Sequence, residues 1–439
     1  MPLPEPVASD ALPERADAVV IGAGIAGIVT ALELVERGLS VLVCEKGVVA
    51  GEQSSRNWGW CRQMGRDPRE LPLIRVSLDL WRQMRQRVGA EVGFRECGIA
   101  YLCPDGRTLA RRQRWHDEHA RTHELTSRMI GAEEAQAMTP GSTVDWRGGL
   151  FTPDDGRAEP TLAVPAMVRA ARAKGATIVQ NCAVRALERE AGRISGVVTE
   201  RGTVATDTVV VAAGAWSRLF LGNEGIDFPQ LTVVNSVTRT EPLDAPIEHS
   251  LAGGGFAIRK RLDGGWTVAH DVLNAAEIVP DSFRLLRDFW PAVKESRHEY
   301  RLRATPRFAH EARRPRRWSP DEVTPFEREP VRDPASVDAV TDSAWDALRR
   351  TLPVFEHARI AERWAGAIDV TPDAVPVIDA VDSIPGLHMA TGFSGHGFGL
   401  GPGAGRLMAQ VVTGETPCVD PSPFRLARFE RAARSLRAA

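Results

Sequence analysis

The sequence is short of cysteine and tyrosine, and each shortage argues against a class of site. Its six cysteines form no C-x-x-C pair and stand far apart, at positions 44, 61, 97, 103, 182 and 418. This scatter argues against a disulfide framework and a zinc site, and it predicts a protein of the reducing cytoplasm. Tyr101 and Tyr300 are the only tyrosines, which limits any substrate site built on tyrosine hydroxyls.

Strong charge and long apolar runs are missing as well. A formal net charge of -2 argues against nucleic acid as the main partner. The arginine run at 313–318 is therefore better explained as a solvated surface or a subunit contact. No apolar run reaches the ~18 residues that span a bilayer, and the first fifteen residues lack the pattern of a signal peptide. We expect no transmembrane segment; the oligomeric state stays open.

What the sequence does contain is a nucleotide-binding pattern near its start. A strand over 18–21, a helix from 25 to about 37 and a second strand over 41–44 are predicted, and the second strand ends at Glu45. Between the first strand and the helix lies a G-x-G-x-x-G turn. The complete order of strand, glycine turn, helix, strand and acid is the dinucleotide-binding fingerprint. It does not by itself distinguish NAD from FAD.

The residues of this fingerprint have separate physical roles. Gly22 permits the sharp turn, Gly24 allows a pyrophosphate to approach the backbone, and Gly27 lets helix and strand pack closely. The start of the helix presents free N–H groups to the phosphates. Glu45 can accept a hydrogen bond from a ribose hydroxyl.

Two later stretches are short of bulky side chains. An apolar strand over 208–212 runs into Ala213, Gly214 and Trp216, and small residues are needed where a strand end approaches a ligand. Residues 391–405 contain seven glycines, a composition that we expect to exclude a stable helix. We predict a loop there that leads into a helix over 406–412, whose N-terminus would stabilise an anion.

The alternation of these patterns predicts an α/β fold of two units. A Rossmann-like nucleotide-binding domain receives an inserted α+β domain built on an antiparallel sheet, since residues 229–275 alternate as strands do. We expect the first domain to comprise residues 1–70, 145–222 and 355–439, and the substrate-binding domain residues 71–144 and 223–354. Residues 303–336 are rich in Pro and Arg and are predicted to form an irregular surface excursion.

The C-terminal glycine-rich stretch carries a family resemblance. Together with the fingerprint and the A-A-G-A-W strand end at 212–216, the motif G-F-S-G-H-G-F at 392–398 resembles the D-amino-acid oxidase superfamily of FAD enzymes. The chain is most similar to the branch of sarcosine oxidase, glycine oxidase and D-amino-acid dehydrogenase. The resemblance spans the whole chain in order, and it implies an FAD-binding, Rossmann-like domain of the glutathione-reductase type.

The resemblance also implies which residues hold FAD. They are Gly22, Gly24, Ile25, Ala26, Gly27, Glu45 and Lys46, the loop residues Ser54, Ser55, Arg56 and Asn57, then Val184, Gly214 and Trp216, and finally Gly395, His396, Gly397, Phe398 and Gly399. Arg62 and Arg66 match arginines that lie beside the flavin and at the substrate carboxylate in sarcosine oxidases. The alternative for each arginine is a surface ion pair.

Three departures from the sarcosine oxidases bear on the chemistry. Gly366 stands about where those enzymes attach flavin through a cysteine, so we expect non-covalent FAD. Gly399 stands where they place a substrate-binding lysine. The segment before His270 lacks the lysine that they use to activate oxygen. The identity of the substrate and the use of oxygen are therefore left open.

The predicted activity is oxidation of an amine or amino acid at its C–N bond. Hydride passes to flavin N5 and the resulting imine hydrolyses, while the protein supplies placement and desolvation. His270 and His396 are the polar side chains expected beside the flavin ring. The alternative for His270 is a histidine of the sheet whose hydrogen bonds are already satisfied, and the alternative for His396 is packing within its loop. Oxygen is the favoured electron acceptor. The alternatives are a dehydrogenase that uses a carrier, a 2-hydroxy-acid oxidoreductase, and a flavin subunit of a larger complex.

A histidine cluster raises the question of a metal. His116, His119 and His123 have the spacing of one helical face. Five arginines in the same stretch would repel a cation, so we predict no metal site and a solvated helical face.

Overall fold

The computed structural model describes Pro4, residues 6–296 and residues 299–429. The helices are α1 Ile25–Val35, α2 Gln53–Arg56, α3 Leu71–Val88, α4 Gly106–His119, α5 Ala132–Ala137, α6 Pro160–Ala173, α7 Ser217–Asn223, α8 Pro280–Arg284, α9 Leu286–Ser296, α10 Arg307–Arg313, α11 Pro325–Arg328, α12 Asp338–Thr351 and α13 Gly397–Thr413.

Within the described ranges the strands fall into four sheets, of which two position the site. They are β1 Ala18–Ile21, β2 Val41–Cys44, β3 Trp60–Cys61, β4 Arg95–Glu96, β5 Ile99–Cys103, β6 Arg128–Ile130, β7 Gly148–Thr152, β8 Gly156–Arg157, β9 Thr177–Val179, β10 Val184–Glu190, β11 Arg193–Thr199, β12 Gly202–Ala205, β13 Val209–Val211, β14 Leu231–Thr240, β15 Ser250–Gly253, β16 Phe256–Lys260, β17 Trp266–Ala269, β18 Asn274–Glu277, β19 Tyr300–Arg303, β20 Ile360–Val370, β21 Val377–Ala380 and β22 Leu387–Thr391.

A mostly parallel sheet forms around the glycine turn. Its order is β21-β22-β13-β1-β2-β9, and neighbours run parallel except β21 and β22. Strands β1, β2 and β13 are buried along their whole length, which explains why they are continuous apolar runs rather than alternating ones. The strands expected over 18–21 and 41–44 have those bounds.

Helix α13 shows that one expectation was wrong, because the glycines of 391–405 do not exclude a helix. Close packing outweighs their low helix propensity. A Cβ on Gly401 would stand 2.8 Å from Ile25 Cγ1, and one on Gly405 would stand 2.7 Å from the backbone nitrogen of Thr30. The glycines thus let α13 lie directly against α1, and the helix begins at 397 rather than at 406.

The second main layer is a largely antiparallel sheet. Its order is β19-β18-β14-β17-β16-β15-β5-β7-β6, and β20 pairs along the length of β14. Strands β14 to β18 are the strands expected over 229–275. In the register of β14 with β20, Asn235 stands opposite Gly366, and both residues line the cavity described below.

Two stretches differ from expectation in detail. Helix α4 ends at His119, so His123 lies beyond the helical face predicted for the three histidines. Residues 303–336 are not only a surface excursion, because they include α10 and α11 and bury Trp318, Phe326 and Arg332. Main-chain propensity does not reveal this burial, which depends on the neighbouring elements.

The division of the chain into two units stays a prediction. The sheet to which each strand belongs indicates where the boundaries between the units lie. Strands β7 and β20 belong to the large sheet, although the prediction assigns 145–222 and 355–439 to the nucleotide-binding unit. Helix α3 packs against α13, although the prediction assigns 71–144 to the inserted unit. We propose boundaries near 152 and 370 instead.

Candidate active site

A cavity of about 1390 Å³ opens where the ends of β1, β2 and β13 meet β14 and β20. Nucleotides bind at the carboxyl ends of strands in open sheets of this kind. The volume exceeds the roughly 300–1,000 Å³ of an ordinary small-molecule pocket. It therefore has room for one large ligand and a second, smaller one.

Glu45 holds the glycine turn at one end of this cavity. Its carboxylate oxygens accept hydrogen bonds from the N–H groups of Ala23 and Gly47, both at 2.8 Å. Burial raises the pKa of this carboxyl, and the positive charge of Lys46 opposes that rise. Gly22 has a φ of +107°, and a Cβ there would stand 2.5 Å from Ala212 O, so the turn requires glycine.

The loop after β2 returns to the start of α1. Ser54 Oγ accepts a hydrogen bond from the Ile25 N–H at 2.9 Å. The side-chain amide of Asn57 donates to Gln53 O and Ser54 O, and its oxygen accepts from the Gly59 N–H. The loop therefore borders the cavity beside the helix N-terminus, where N–H groups attract phosphate.

Glu52, which the sequence analysis missed, is the centre of a polar cluster on the cavity wall. Its carboxylate accepts hydrogen bonds from Lys46 Nζ at 2.7 Å, from Trp216 Nε1 at 3.0 Å and from the Arg332 N–H at 3.0 Å. Burial opposes its ionisation, but Lys46 holds the pKa of Glu52 below its ordinary value. Lys46 Nζ also donates to Pro330 O at 2.8 Å.

Residues 325–333 therefore close over the predicted nucleotide end of the cavity. Besides the Glu52 cluster, Asp333 pairs with the buried Arg56 at 2.7 Å, and Phe326 meets Trp216 edge to face at 5.8 Å. No periodic pattern in the sequence indicates this covering segment.

His396 lies at the N-terminus of α13, where the cavity is bordered by the glycine-rich motif. Its Nδ1 lies 2.9 Å from Oε2 of the fully buried Glu70. Burial, with the nearby charge of Arg66, lowers the pKa of His396. The ring is therefore held neutral, with one nitrogen committed to Glu70.

Arg62 and Arg66 also line the cavity. They contact backbone carbonyl oxygens, Arg62 through Nη1 to Met64 O and Arg66 through Nε to Arg62 O at 3.1 Å. Arg66 is only 3% exposed, and its Nη1 is buried with no hydrogen-bond partner in the described ranges. Burial, reinforced by the neighbouring charge of Arg62, lowers the pKa of Arg66 to about 10.

Both arginines are thus free to bind an anion. No carboxylate within residues 6–296 or 299–429 forms an ion pair with either of them, whereas Arg69 close by is paired with Asp67 and Asp373, both at 2.9 Å. The alternative of a surface ion pair therefore does not describe Arg62 or Arg66.

Asp155 fixes the loop that carries these arginines. Its carboxylate accepts hydrogen bonds from the Gln63 N–H at 2.7 Å and the Met64 N–H at 3.2 Å. Burial raises the pKa of Asp155 to about 7, even though those hydrogen bonds and the charges of Arg62 and Arg66 act in the opposite direction. No motif in the sequence predicts this role for Asp155.

His270 lines the cavity just beyond β17. Its Nδ1 accepts hydrogen bonds from the Val272 N–H at 3.2 Å and the Leu273 N–H at 3.1 Å. Nδ1 also lies 3.1 Å from Asp271 Oδ1, so this ring nitrogen is held between two backbone N–H groups and a carboxylate.

The structure brings most of the predicted residues to one cavity. Its wall includes the predicted residues Gly22, Gly24, Ile25, Ala26, Glu45, Lys46, Ser54, Arg56, Asn57, Arg62, Arg66, Val184, Gly214, Trp216, His270, Gly395, His396, Gly397 and Phe398. Gly27, Ser55 and Gly399 lie behind it. A Cβ on Gly27 would meet Gly22 O at 2.0 Å, and Gly399 O accepts from Ser77 Oγ and Trp81 Nε1.

Comparison with known proteins identifies the family. The sequence model described as DAO, FAD dependent oxidoreductase, matches residues 17–411. The chain belongs to this family. It is an FAD-dependent oxidoreductase, so the predicted superfamily, fold class, enzyme class and cofactor are confirmed.

Relatives of this oxidoreductase share most of its length. The solved L-amino acid deaminase from Proteus myxofaciens, in complex with anthranilate, has a TM-score of 0.93 and 35% identity over 97% of this chain and 96% of that one. L-amino acid deaminase from Proteus vulgaris has a TM-score of 0.92 and 32% identity over 97% and 100% of the two chains. Glycine oxidase from Pseudomonas aeruginosa is 26% identical over 92% of this chain and 97% of its own.

The cavity of this FAD-dependent oxidoreductase fits its cofactor. The Gly22 turn, the N-terminus of α1 and the Glu45 carboxylate suit a dinucleotide. Within the described ranges no helix has the length and apolar character to cross a bilayer. In the same ranges no group of three or more His, Cys, Asp and Glu side chains could hold a metal ion.

We expect Glu45→Gln to weaken FAD binding by about 5- to 150-fold. The amide leaves one of two backbone N–H groups without its acceptor, a loss of about 1–3 kcal/mol for a buried group. Titration of the apoprotein with FAD, followed by flavin fluorescence, measures the change. Glu190→Gln, at an exposed position on β10, is the control and should bind FAD as the unmodified protein does. Equal affinity for FAD in the two variants would show that Glu45 does not contribute to FAD binding.

Proposed function

We propose that this FAD-dependent oxidoreductase deaminates L-α-amino acids oxidatively and gives the 2-oxo acid and ammonia. The observation that carries the proposal is the pair Arg62 and Arg66 on the cavity wall, which have no carboxylate partner in the described part of the chain. Guanidinium groups bind carboxylates through parallel hydrogen bonds. The α-carboxylate of an amino acid supplies that anion next to an oxidisable C–N bond.

An apolar wall beside the arginines supports the same chemistry. Trp58 and Trp60 meet edge to face with ring centroids 5.5 Å apart, and both line the cavity. Trp58 Nε1 donates to Asn235 Oδ1 at 2.8 Å, which fixes its ring. FAD, when bound, accepts the two electrons that leave the C–H bond beside nitrogen. The tryptophans exclude water from the reacting carbon.

The amine must be neutral for its lone pair to assist that step, and we assign proton removal to His396. Since Nδ1 lies against the Glu70 carboxylate, the proton sits on Nδ1 and leaves Nε2 as an acceptor. His270 lines the same cavity, and we assign it a contact with a substrate oxygen through Nε2. These roles are proposals for both histidines.

The relatives support an amino acid substrate. The two L-amino acid deaminases at 35% and 32% identity are named for that activity, and one of them was solved with anthranilate, an aromatic carboxylate that carries an amine. Non-covalent attachment of FAD is part of the proposal, because the cavity wall has Gly366 where attachment needs a thiol.

The destination of the electrons and the compartment remain predictions. We propose oxygen as the acceptor, with a carrier as the alternative, and the cytoplasm as the compartment on the basis of the scattered cysteines.

An anaerobic screen tests the function. We expect L-amino acids to bleach the flavin and to yield ammonia in equal molar amount, whereas D-amino acids and 2-hydroxy acids leave the spectrum unchanged. Bleaching by 2-hydroxy acids without ammonia would support the alcohol-oxidising alternative. No bleaching by any amine or amino acid would contradict the proposed function.

The carboxylate site should weaken as the pH rises through about 7. Since the pKa of Asp155 is raised to about 7, its carboxyl is neutral below that pH and negative above it, where its charge offsets part of the positive charge of Arg62 and Arg66. We expect the Kd for butyrate, a non-oxidisable carboxylate, to rise several-fold between pH 6 and pH 8. Asp155→Asn should flatten this profile, and Asp154→Asn, at the adjacent and less buried position, should retain it.

A further inference from the structure

A third guanidinium group, from helix α4, converges on the proposed carboxylate site. Arg112 lies over the ring of Tyr101 at 4.1 Å from its centroid, and Arg62 lies 5.7 Å from the same centroid. A Cβ on Gly65 would stand 3.6 Å from Arg62 Nη1 and 3.9 Å from Arg112 Nη1. Two cations from separate elements therefore lie close together at the cavity wall.

Nothing in the described chain neutralises Arg112. Its Nε is buried without a hydrogen-bond partner, and no carboxylate in the described ranges pairs with it. Burial lowers the pKa of Arg112, with the charges of Arg111 and Arg62 acting in the same direction. Trp115, one turn along α4, donates from Nε1 to Arg66 O at 3.0 Å, so this helix is tied to the loop that carries the other arginines.

The acids near this end of the cavity act on the other two arginines: Asp155 on Arg62 and Arg66, and Glu70 on Arg66. Arg62, Arg66 and Arg112 all line the cavity, whereas Asp67 at the same wall is already paired with Arg69. Desolvating a cation without a partner is unfavourable. A substrate that brings only one carboxylate, bound by Arg66, would leave Arg112 without an anion beside it.

We propose that the enzyme takes amino acids that carry a second carboxylate, which Arg112 binds together with Arg62 while Arg66 holds the α-carboxylate. This inference rests on the proposed function and narrows its substrate class. The second carboxylate can be on the side chain or on a substituent of the nitrogen. Arg112 then determines specificity, because the neutral amide of the same substrate offers no charge to it.

Equilibrium binding tests the inference without turnover. Titration of the FAD-loaded protein with glutarate and with butyrate, followed by the change in flavin absorbance, compares a dicarboxylate with a monocarboxylate. We expect glutarate to bind about 10- to 100-fold more tightly, since a hydrogen-bonded charge contributes about one to two orders of magnitude. Arg112→Met should remove this preference and Arg112→Lys should restore part of it. Arg114→Met, on the exposed face of the same helix, should leave the preference intact.

Substrate pairs then distinguish the source of the second carboxylate. Flavin reduction by L-glutamate and L-aspartate is compared with reduction by L-glutamine and L-asparagine, and a further arm uses N-carboxymethyl amino acids. We expect acids to react faster than amides in the native enzyme and at similar rates in Arg112→Met. Reduction by neutral amino acids with no preference for acids would overturn this inference and leave the proposed function standing. An equal loss for acids and amides in Arg112→Met would show a structural role and would also overturn it.

Discussion

Replacing Arg66 by Met should raise KM for an α-amino acid by about 30-fold or more while FAD remains bound. Arg66 is buried, and its Nη1 has no partner in the described chain, so we propose that the substrate carboxylate is the anion that binds it. Removing one partner of a buried charge pair costs about 2–5 kcal/mol, which corresponds to roughly 30- to 4,000-fold. Steady-state kinetics with purified, flavin-loaded protein measure the effect, and Met keeps most of the volume of the side chain.

A substrate that lacks the carboxylate distinguishes an effect of the substitution on substrate binding from an effect on folding. We expect the amine that corresponds to the amino acid to turn over slowly in the native enzyme and at the same rate in Arg66→Met. Arg350→Met on the outer face of α12 serves as the surface control, because Arg350 is exposed. If the variant loses activity equally toward the amine and the amino acid, Arg66 supports the fold of the loop and does not bind the carboxylate.

The nucleotide-binding half of the site could be predicted because its determinants are local. The bounds of β1 and β2 follow from continuous apolar runs, and the position of Glu45 follows from the length of the strand–helix–strand unit. The loop residues Ser54 and Asn57 reached the cavity as the resemblance implied.

The partners that these residues meet could not be predicted, since they come from distant segments. Glu52 is bound by Arg332, 280 residues later, and Glu70 meets His396 from 326 residues away. No spacing rule connects such pairs. Arg112 was missed for another reason. Its arginine-rich stretch has the pattern of a solvent-exposed helical face, although Arg112 and Trp115, three residues apart, lie on one side of α4.

The start of α13 depends on packing in the same way. A string of glycines disfavours a helix in an isolated peptide, but the space between α13, α1 and α3 admits no side chain. A Cβ on Gly403 would stand 2.8 Å from Leu73 O, and one on Gly401 would meet Ile25. Since Ile25 lines the cavity, the glycines also keep the N-terminus of α1 at the proposed nucleotide site.

Gly405→Ala should therefore destabilise the protein, although replacing glycine by alanine inside a helix is usually stabilising. Elsewhere this substitution stabilises a helix by up to about 1 kcal/mol. At 405 the added methyl would stand 2.6 Å from Val29 Cγ1 and 2.7 Å from the Thr30 backbone nitrogen. Helix α1 must move, and overpacking of this kind costs about 1–3 kcal/mol. We expect a lower melting temperature for the apoprotein and weaker binding of FAD.

Gly222→Ala is the matched control, because Gly222 also lies inside a helix, α7, and its Cβ would meet nothing within 4 Å. This variant should melt at the native temperature or slightly above it and bind FAD normally. If Gly405→Ala raised the melting temperature as much as Gly222→Ala, the interface between α13 and α1 would have space for a methyl group, contrary to the structure. The glycines would then have to be explained by the ligand rather than by the contact between the two helices.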